Sequence, residues 1–209
     1  MPEVSSIQAF VAAALVVLVI PGPGVLYILA RSLGQGQKAG VVSAAGLSLG
    51  ACVHVVGATV GLSALLLASA TALSVVKLLG AGYLIYLGVR AIRSARQTRR
   101  IAAPEDRSSG RLFRDGIVVS VLNPKIAVFF LAFLPQFVDA SRGSIPAQVL
   151  FLGTLYAVLA FVTDSTYALL AARIRDRLGD RLAQSPMPGY ASGAVYIGLG
   201  VGTAFADQR

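Results

Sequence analysis

Charged residues, histidine and cysteine are all scarce in this 209-residue chain. Charged residues make up 13% of it, against roughly 25% in soluble domains. The chain therefore lacks the polar surface that a soluble globular domain needs. Its one cysteine, Cys52, leaves no disulfide framework and no thiol pair for electron transfer. Its one histidine, His54, argues against metal and catalytic sites that depend on several imidazoles.

The chain contains long stretches without any charged residue. Three such stretches, of 27, 38 and 25 residues, lie between Glu3 and Arg31, between Lys38 and Lys77, and between Arg181 and Asp207. A helix needs about 20 apolar residues to cross the hydrocarbon core of a bilayer. The sequence therefore predicts an integral membrane protein.

The hydrophobic segments predict six membrane spans, at about residues 6–31, 40–67, 74–92, 116–138, 146–171 and 189–206. The stretch between Lys38 and Lys77 has to turn, because as one helix it would be about 57 Å long against a core of about 30 Å. We expect that turn at residues 68–74. We also expect the first span to be retained, because Glu3 stands where a cleaved signal peptide would be basic.

Basic residues are concentrated in alternate loops. Of the 18 lysines and arginines, 14 fall in residues 31–39, 90–115 and 172–188, whereas the opposite span ends hold only Arg142 and Arg209. Because basic loops face the cytoplasm, both termini are predicted to face outward. The net charge of +9 is then a topology signal, and no nucleic-acid partner is expected.

The two halves of the chain resemble each other weakly. Setting Pro23 on Pro124 aligns spans one and four, and an offset of 107 residues aligns spans two and five. Three spans in each half would place the second half upside down, and inverted repeats are a transporter architecture. The predicted fold is therefore an all-α polytopic membrane protein of six transmembrane helices, arranged as two inverted three-helix repeats with helices 1 and 4 broken. Within a single domain, 1–209, the first repeat covers about 1–94, a cytoplasmic linker about 95–115 and the second repeat about 116–209.

Spans two and five each carry a seam of small residues on one helical face. The seams comprise Ser43, Gly46, Gly50, His54, Gly57 and Gly61 in span two, and Gly153, Ala157, Ala160, Asp164, Ala168 and Ala171 in span five. Spacings of three and four residues place each set on one side of a helix. Because small residues let helices approach closely in lipid, we expect these glycines and alanines to be packing contacts.

Three ionisable residues deserve a functional hypothesis because charge is costly inside a membrane. Asp164 is the one carboxylate far from every predicted span end, and its alternative role is structural hydrogen bonding to neighbouring hydroxyls. Histidine can change charge in the physiological range, which makes His54 a candidate, although a lone histidine among glycines is more often a packing residue. Lys125 is a candidate for a site, whereas Lys77 is expected to extend to the membrane interface.

Prolines interrupt spans one and four. Pro21 and Pro23 lack N–H groups and clash with the preceding turn, so we expect span one to split near residues 21–24, and Pro124 to split span four. Irregular backbone at membrane depth survives only when buried in protein or lining a wet cavity. A helix that restarts there directs N–H groups into the cavity, where a carboxylate would bind. The alternative is a simple proline kink.

These motifs resemble those of the lysine exporter (LysE) / homoserine–threonine exporter (RhtB) family of bacterial inner-membrane amino-acid exporters. The likeness is carried by the P-G-P signature at Pro21, Gly22 and Pro23, the N-P-K signature at Asn123, Pro124 and Lys125, and the segments 78–94 and 164–171. It implies about six helices and export of small amino acids or their derivatives in exchange for protons. Many members carry an acidic residue where this chain has Ala51, which favours a neutral substrate, such as threonine or homoserine, over lysine.

The leading hypothesis is therefore a secondary exporter of small amino acids, not an enzyme. The predicted substrate-binding residues are Pro21, Gly22, Pro23, Gly24, Asn123, Pro124, Lys125 and Asp164, and the predicted proton-coupling residues are Asp164 and His54. The chain has no G-x-x-x-x-G-K-[ST] motif, so an ion gradient must supply the energy. No cofactor or metal is expected, the partners are the substrate, the proton gradient and the lipid bilayer, and self-association is left open.

Two other functions are alternatives to export of amino acids. A divalent-metal exporter on a related scaffold would need several converging histidine, cysteine or carboxylate ligands. A membrane enzyme would need a nucleophile and a base, or a histidine and a carboxylate, held together. The residues present favour neither.

Overall fold

The computed structural model describes residues 2–68 and 107–178, together with positions 75, 82, 85, 86 and 89. All regular secondary structure in these residues is helical. The helices are α1 (Val4–Val19), α2 (Pro23–Gln35), α3 (Gln37–Ala68), α4 (Ser109–Val121), α5 (Pro124–Val128) and α6 (Ile145–Leu178). A π-helical turn, Phe129–Phe133, and a 3₁₀ turn, Leu134–Phe137, continue α5, and a second 3₁₀ turn, Ala140–Arg142, precedes α6.

Two of the membrane-crossing units are bent and two are straight. The axes of α1 and α2 meet at 53°, and those of Ser109–Val121 and Pro124–Phe137 meet at 45°. Gln37–Gly61 within α3 and Ile145–Arg173 within α6 are each long and apolar enough to cross a bilayer, so the described residues supply up to four spans. The all-helical membrane fold and the two breaks are thus confirmed. The span expected at 74–92 is described at only five isolated positions, and the span at 189–206, residues 69–74 of the expected turn and Lys77 fall outside the described residues.

A proline stands at the first position of the helix that follows each break. α2 begins at Pro23 and α5 begins at Pro124, where a helix does not need the missing N–H. The residues before them, Gly22 and Asn123, have extended backbones. The two prolines therefore occupy equivalent places in the structure, as their alignment in the sequence predicted.

The start of span four differs from the prediction. α4 begins at Ser109, within the range predicted as linker and before the expected start near 116. Its first turns bury Leu112 and Gly116, while Arg107, just before the helix, pairs with Asp115. Arginine is a good helix former, so a run of arginines that marks a cytoplasmic loop need not interrupt helix. The charge pattern therefore did not predict where this helix begins.

Glycine sets the contact between α3 and α4. A Cβ added at Gly50 would lie 2.5 Å from Cβ of Ser120, and one added at Gly116 would lie 2.7 Å from the carbonyl oxygen of Ser43. Neither position has room for a side chain, so the close-packing role of this part of the seam is confirmed. Gly57 and Gly61 differ, because among the described atoms none lies within 4 Å of where their Cβ would be.

The seam of α6 is buried along its whole length, from Gly153 to Ala171. A Cβ on Gly153 would lie 2.6 Å from a side-chain methyl of Val55, and the hydroxyl of Ser48 donates to the carbonyl of Ala157 at 3.2 Å. α3 therefore lies between α4 and α6 and contacts both through small residues. This arrangement places Asp164, which belongs to the same seam, inside the bundle.

Aromatic rings fill the space between α1, the π-helical turn after α5, and α6. Tyr156 stacks on Phe129 with ring centroids 4.6 Å apart, and its ring meets that of Phe130 edge-on at 5.2 Å. Phe129 in turn lies 5.8 Å from Phe10 of α1. These rings are fully buried and hold the second bent unit against the first.

Candidate functional site

Residues from both breaks line one cavity in the bundle. Its wall is formed by Leu18, Gly22, Gly24, Val25, Leu47, Ala51, Asn123, Lys125, Ile126, Tyr156, Ala160 and Asp164. The cavity is small, with a volume of about 30 Å³, and part of it is open to the outside. Five residues that the sequence predicted for substrate binding therefore come together here, namely Gly22, Gly24, Asn123, Lys125 and Asp164.

The remaining predicted residues are not part of this wall. Pro21, Pro23 and Pro124 shape the breaks, and His54 packs on α4 and on the π-helical turn that follows α5. The His54 ring lies 6.3 Å from that of Phe130, at 18° between planes.

Sequence reasoning missed most of the apolar wall and Tyr156. Leu47 and Ile126 carry no signal that distinguishes them from other apolar residues of a membrane helix. Tyr156 and Ala160 did carry one, because they precede Asp164 at intervals of four residues and so share its helical face.

The prolines of the first break leave carbonyl oxygens of α1 without helical donors. In a continuous helix each N–H bonds to the carbonyl four residues earlier, so Pro21 would have served Val17 and Pro23 would have served Val19. The N–H of Ile20 takes the Val17 oxygen at 3.3 Å. The Val19 oxygen must find a donor elsewhere, since an unsatisfied carbonyl is costly at membrane depth.

Side chains from the second half of the chain donate to the broken end of α1. The Tyr167 hydroxyl donates to the Val19 carbonyl at 2.5 Å, and the Lys125 Nζ donates to the Ile20 carbonyl at 2.7 Å. The Lys125 ammonium also lies at the C-terminal end of α1, where the helix dipole favours a cation. The first break is therefore completed by α5 and α6.

At the second break the side-chain donor comes from the first half of the chain. Pro124 cannot donate to the carbonyl of Ser120, which instead accepts from the N–H of Asn123 at 3.0 Å and from Nε2 of His54 at 3.1 Å. Because a carbonyl oxygen can only accept, this contact assigns a proton to Nε2. A residue of the first half thus supports the break in the second half.

The N–H groups beside the two breaks are not equally available. After the second break, the Lys125 N–H donates to the side chain of Asn123 at 3.1 Å, and the next two N–H groups donate to the Asn123 carbonyl. The expectation that this helix start would offer its N–H groups to a ligand is therefore wrong. After the first break, Gly24 and Val25 lie in the first turn, whose N–H groups have no acceptor within the helix, and both residues line the cavity.

The hydroxyls that flank Asp164 bond elsewhere. Thr163 and Thr166 each donate to a carbonyl of their own helix at 2.8 Å, and Tyr167 donates to α1. The hydroxyl of Ser165 is buried and has no hydrogen-bond partner among the described residues. None of these neighbours holds the carboxylate of Asp164, which faces the cavity that Lys125 also lines. The hydroxyls that a purely structural role of Asp164 would require as donors therefore do not bond to it.

An apolar helical bundle that encloses a carboxylate and an ammonium at the meeting point of two bent units defines an integral membrane protein with an interior polar site. The chain belongs to the LysE type translocators, since it matches that family over residues 15–206. The resemblance inferred from the P-G-P and N-P-K motifs is confirmed.

Individual relatives are named as efflux proteins. The chain is 38% identical over 154 residues to a homoserine/homoserine lactone efflux protein of Salmonella typhimurium (strain LT2), covering 74% of each chain. It is 26% identical over 191 residues to a leucine efflux protein of Salmonella choleraesuis (strain SC-B67), covering 91% of this chain and 90% of the relative. It is also 30% identical over 166 residues to an uncharacterized membrane protein of Vibrio cholerae, covering 79% and 80%. No solved structure matches the chain.

Proposed function

We propose that this protein exports small neutral amino acids or their derivatives across the bacterial inner membrane, in exchange for protons. The observation that carries the proposal is the presence of Lys125 and Asp164 in the wall of one cavity. An amino acid carries a carboxylate and an ammonium, and charge-assisted hydrogen bonds to Lys125 and Asp164 would bind both. The relatives named for efflux of homoserine, homoserine lactone and leucine support this class of substrate.

The carboxylate of the substrate is assigned to the first break as well as to Lys125. The N–H groups of Gly24 and Val25 open α2, whose N-terminal end carries a partial positive charge. Substrate binding would draw the Lys125 ammonium away from the carbonyl of Ile20, which it now contacts. Binding and the position of the first break are thus linked through one side chain.

The side chain of the substrate is assigned to the apolar part of the wall. Leu18, Leu47, Ala51 and Ile126 line it, and a second ammonium placed among them would be buried without a partner. Ala51 stands where many members of the family carry an acidic residue. It lies in this wall and is 1% exposed, so no second carboxylate is available there to bind a cationic side chain. The cavity therefore favours a neutral side chain over that of lysine.

Proton coupling is assigned to Asp164. A carboxylate can bind either the substrate ammonium or a proton, but not both. It therefore exchanges substrate for a proton when the cavity opens to the other side of the membrane. The chain has no nucleotide-binding motif, so a gradient supplies the energy. The involvement of His54 in coupling stays a prediction, since its contact is to the Ser120 carbonyl.

The six-helix inverted repeat, with both termini outside the cytoplasm, remains part of the proposal. It is supported by the equivalent prolines at the two breaks and by the reciprocal donors, Tyr167 for the first break and His54 for the second. Each half of an inverted repeat would contribute to the site in the same way.

Transport of a divalent metal is less well supported. The described part of the chain holds no group of three or more histidine, cysteine, aspartate or glutamate residues able to bind a metal ion. The family match and the relatives named for efflux favour transport over catalysis.

The decisive experiment is counterflow in liposomes that contain the purified protein. Vesicles loaded with one unlabelled amino acid should accumulate the same labelled amino acid, and a panel should include homoserine, threonine, leucine, lysine and Mn²⁺. We expect exchange of the neutral amino acids and none of lysine or Mn²⁺. Exchange of lysine above all others, or of Mn²⁺ alone, would contradict the proposal. Protein-free liposomes and the Lys125→Met variant provide the controls.

A further inference from the structure

The hydrogen bond between Tyr167 and Val19 joins two walls of the cavity. Val19 is the last residue of α1 and follows Leu18, which lines the cavity, while Tyr167 lies one helical turn after Asp164, which lines it from α6. The two bonded residues are 148 positions apart in the chain. Their bond is therefore a tertiary contact at the edge of the site and not part of either helix.

The sequence makes a side-chain donor necessary at this point. Pro23 removes the one backbone N–H that would have served the Val19 oxygen in a continuous helix. The neighbouring Ile20 oxygen already accepts from Lys125, so the Tyr167 hydroxyl completes the broken end. The two donors differ in one respect: the substrate carboxylate competes for the ammonium of Lys125, whereas the phenol hydroxyl has no charge to attract it.

The bond also depends on the arrangement of the helices. O–H···O hydrogen bonds have donor–acceptor distances of about 2.5–3.0 Å, and a contact at about 3.6 Å is no longer one. In the proposed transport cycle the cavity opens first to one side of the membrane and then to the other, with α1 and α6 moving relative to each other at this point. A 2.5 Å bond between them is lost in that movement, so it stabilises the arrangement seen here against the alternative.

Resting on the proposed transport function, we infer that Tyr167 is a positioning residue that sets the relative populations of two conformations, in which the cavity opens to opposite sides of the membrane. It does so by holding the broken end of α1 after Lys125 has turned to the substrate. Loss of its hydroxyl lowers the population of the arrangement seen here and raises that of the alternative. Tyr167 itself need not touch the substrate.

The test measures access to the cavity from each side, independently of any substrate. Ala160, a cavity-lining residue on α6, is changed to cysteine in a Cys52→Ser background, because Cys52 is exposed and would react as well. A membrane-impermeant maleimide is applied to right-side-out and to inside-out vesicles, with and without Tyr167→Phe. We expect the ratio of the two labelling rates to change about fivefold, faster from one face and slower from the other, which corresponds to about 1 kcal/mol.

A matched control separates this effect from general loosening. The Tyr27 hydroxyl donates to the carbonyl of Leu112 at 3.1 Å, so Tyr27→Phe deletes the same kind of bond between α2 and α4, away from the end of α1. It should leave the labelling ratio unchanged. An equal shift in Tyr27→Phe, an unchanged ratio in Tyr167→Phe, or equal changes from both faces would each overturn the inference.

Transport measurements then distinguish this inference from the proposed function. In Tyr167→Phe, the half-saturation concentrations of substrate on the two faces should move in opposite directions by a similar factor, whereas partial unfolding would lower only the maximal rate. A wild-type protein that exchanges no amino acid, with the labelling shift present, would overturn the proposed function and leave the role of Tyr167 standing. Normal exchange by the wild type without any shift would overturn the role of Tyr167 alone.

Discussion

The Nζ atom of Lys125 donates a hydrogen bond to the carbonyl oxygen of Ile20 at 2.7 Å, across 105 residues of sequence. Ile20 caps the end of α1, and Lys125 is the second residue of α5. This one hydrogen bond therefore connects the two helix breaks, and the cavity lies where the breaks meet. The two interruptions of the membrane helices form one site.

Replacing Lys125 with methionine should weaken substrate binding strongly. The substitution keeps the length of the side chain but removes its charge, and a hydrogen bond to a charged group contributes about 1.5–3 kcal/mol. We expect the half-saturation concentration in counterflow to rise about 10-fold to 100-fold. Lys38→Met, which removes an exposed charge, is the matched control. Equal half-saturation values for the two variants would remove Lys125 from the site.

Replacing Pro21 and Pro23 with alanine should straighten the first bent unit. Alanine restores the two N–H groups, so the oxygens of Val17 and Val19 regain backbone donors. Insertion into the membrane should be intact while counterflow falls sharply. Pro146→Ala, at an exposed position in the first turn of α6, should transport normally. Normal transport by the double variant would show that the break has no functional role.

Replacing Asp164 with asparagine should separate binding from coupling. Asparagine can still accept a hydrogen bond from the substrate ammonium but cannot carry a proton. We expect counterflow to persist at reduced affinity and uptake driven by a pH gradient into inside-out vesicles to stop. Loss of both activities would point to binding or folding, and full retention of both would remove Asp164 from the mechanism.

His54→Gln should be milder than His54→Leu. The amide of glutamine can donate to the Ser120 carbonyl as Nε2 does, whereas leucine leaves that oxygen with the Asn123 N–H alone. We expect His54→Leu to lower the unfolding temperature in detergent more than His54→Gln. Loss of pH-driven uptake in a stable His54→Gln protein would instead assign His54 to coupling.

Both termini should lie outside the cytoplasm. A reporter that is active only in the periplasm, fused after Arg209, should be active because the basic loops hold 14 lysines and arginines against two at the opposite span ends. A reporter active only in the cytoplasm should give no signal at the same position. The reverse pattern would overturn the orientation.

The sequence predicted those parts of the site that follow from local chemistry. Proline interrupts a helix interior whatever its surroundings, so Pro21, Pro23 and Pro124 predicted the breaks. Asp164 stood out because a carboxylate is costly in lipid. The partners of the broken ends could not be predicted, since Tyr167 and His54 reach their carbonyls only through the tertiary arrangement. For the same reason, nothing in the sequence showed that the side chain of Asn123 already takes the N–H of Lys125.

The reciprocal completion of the two breaks has a consequence for biosynthesis. When α1 leaves the ribosome, its acceptors at Val19 and Ile20 are made, but their donors will be translated only 148 and 105 residues later. Until then the nascent segment cannot reach its final conformation in lipid and needs the insertion machinery or water to shield it. The first half of the chain, expressed as a separate polypeptide, should therefore be degraded, and co-expression of the second half should rescue it. Helices from the second half of the chain complete the first helix.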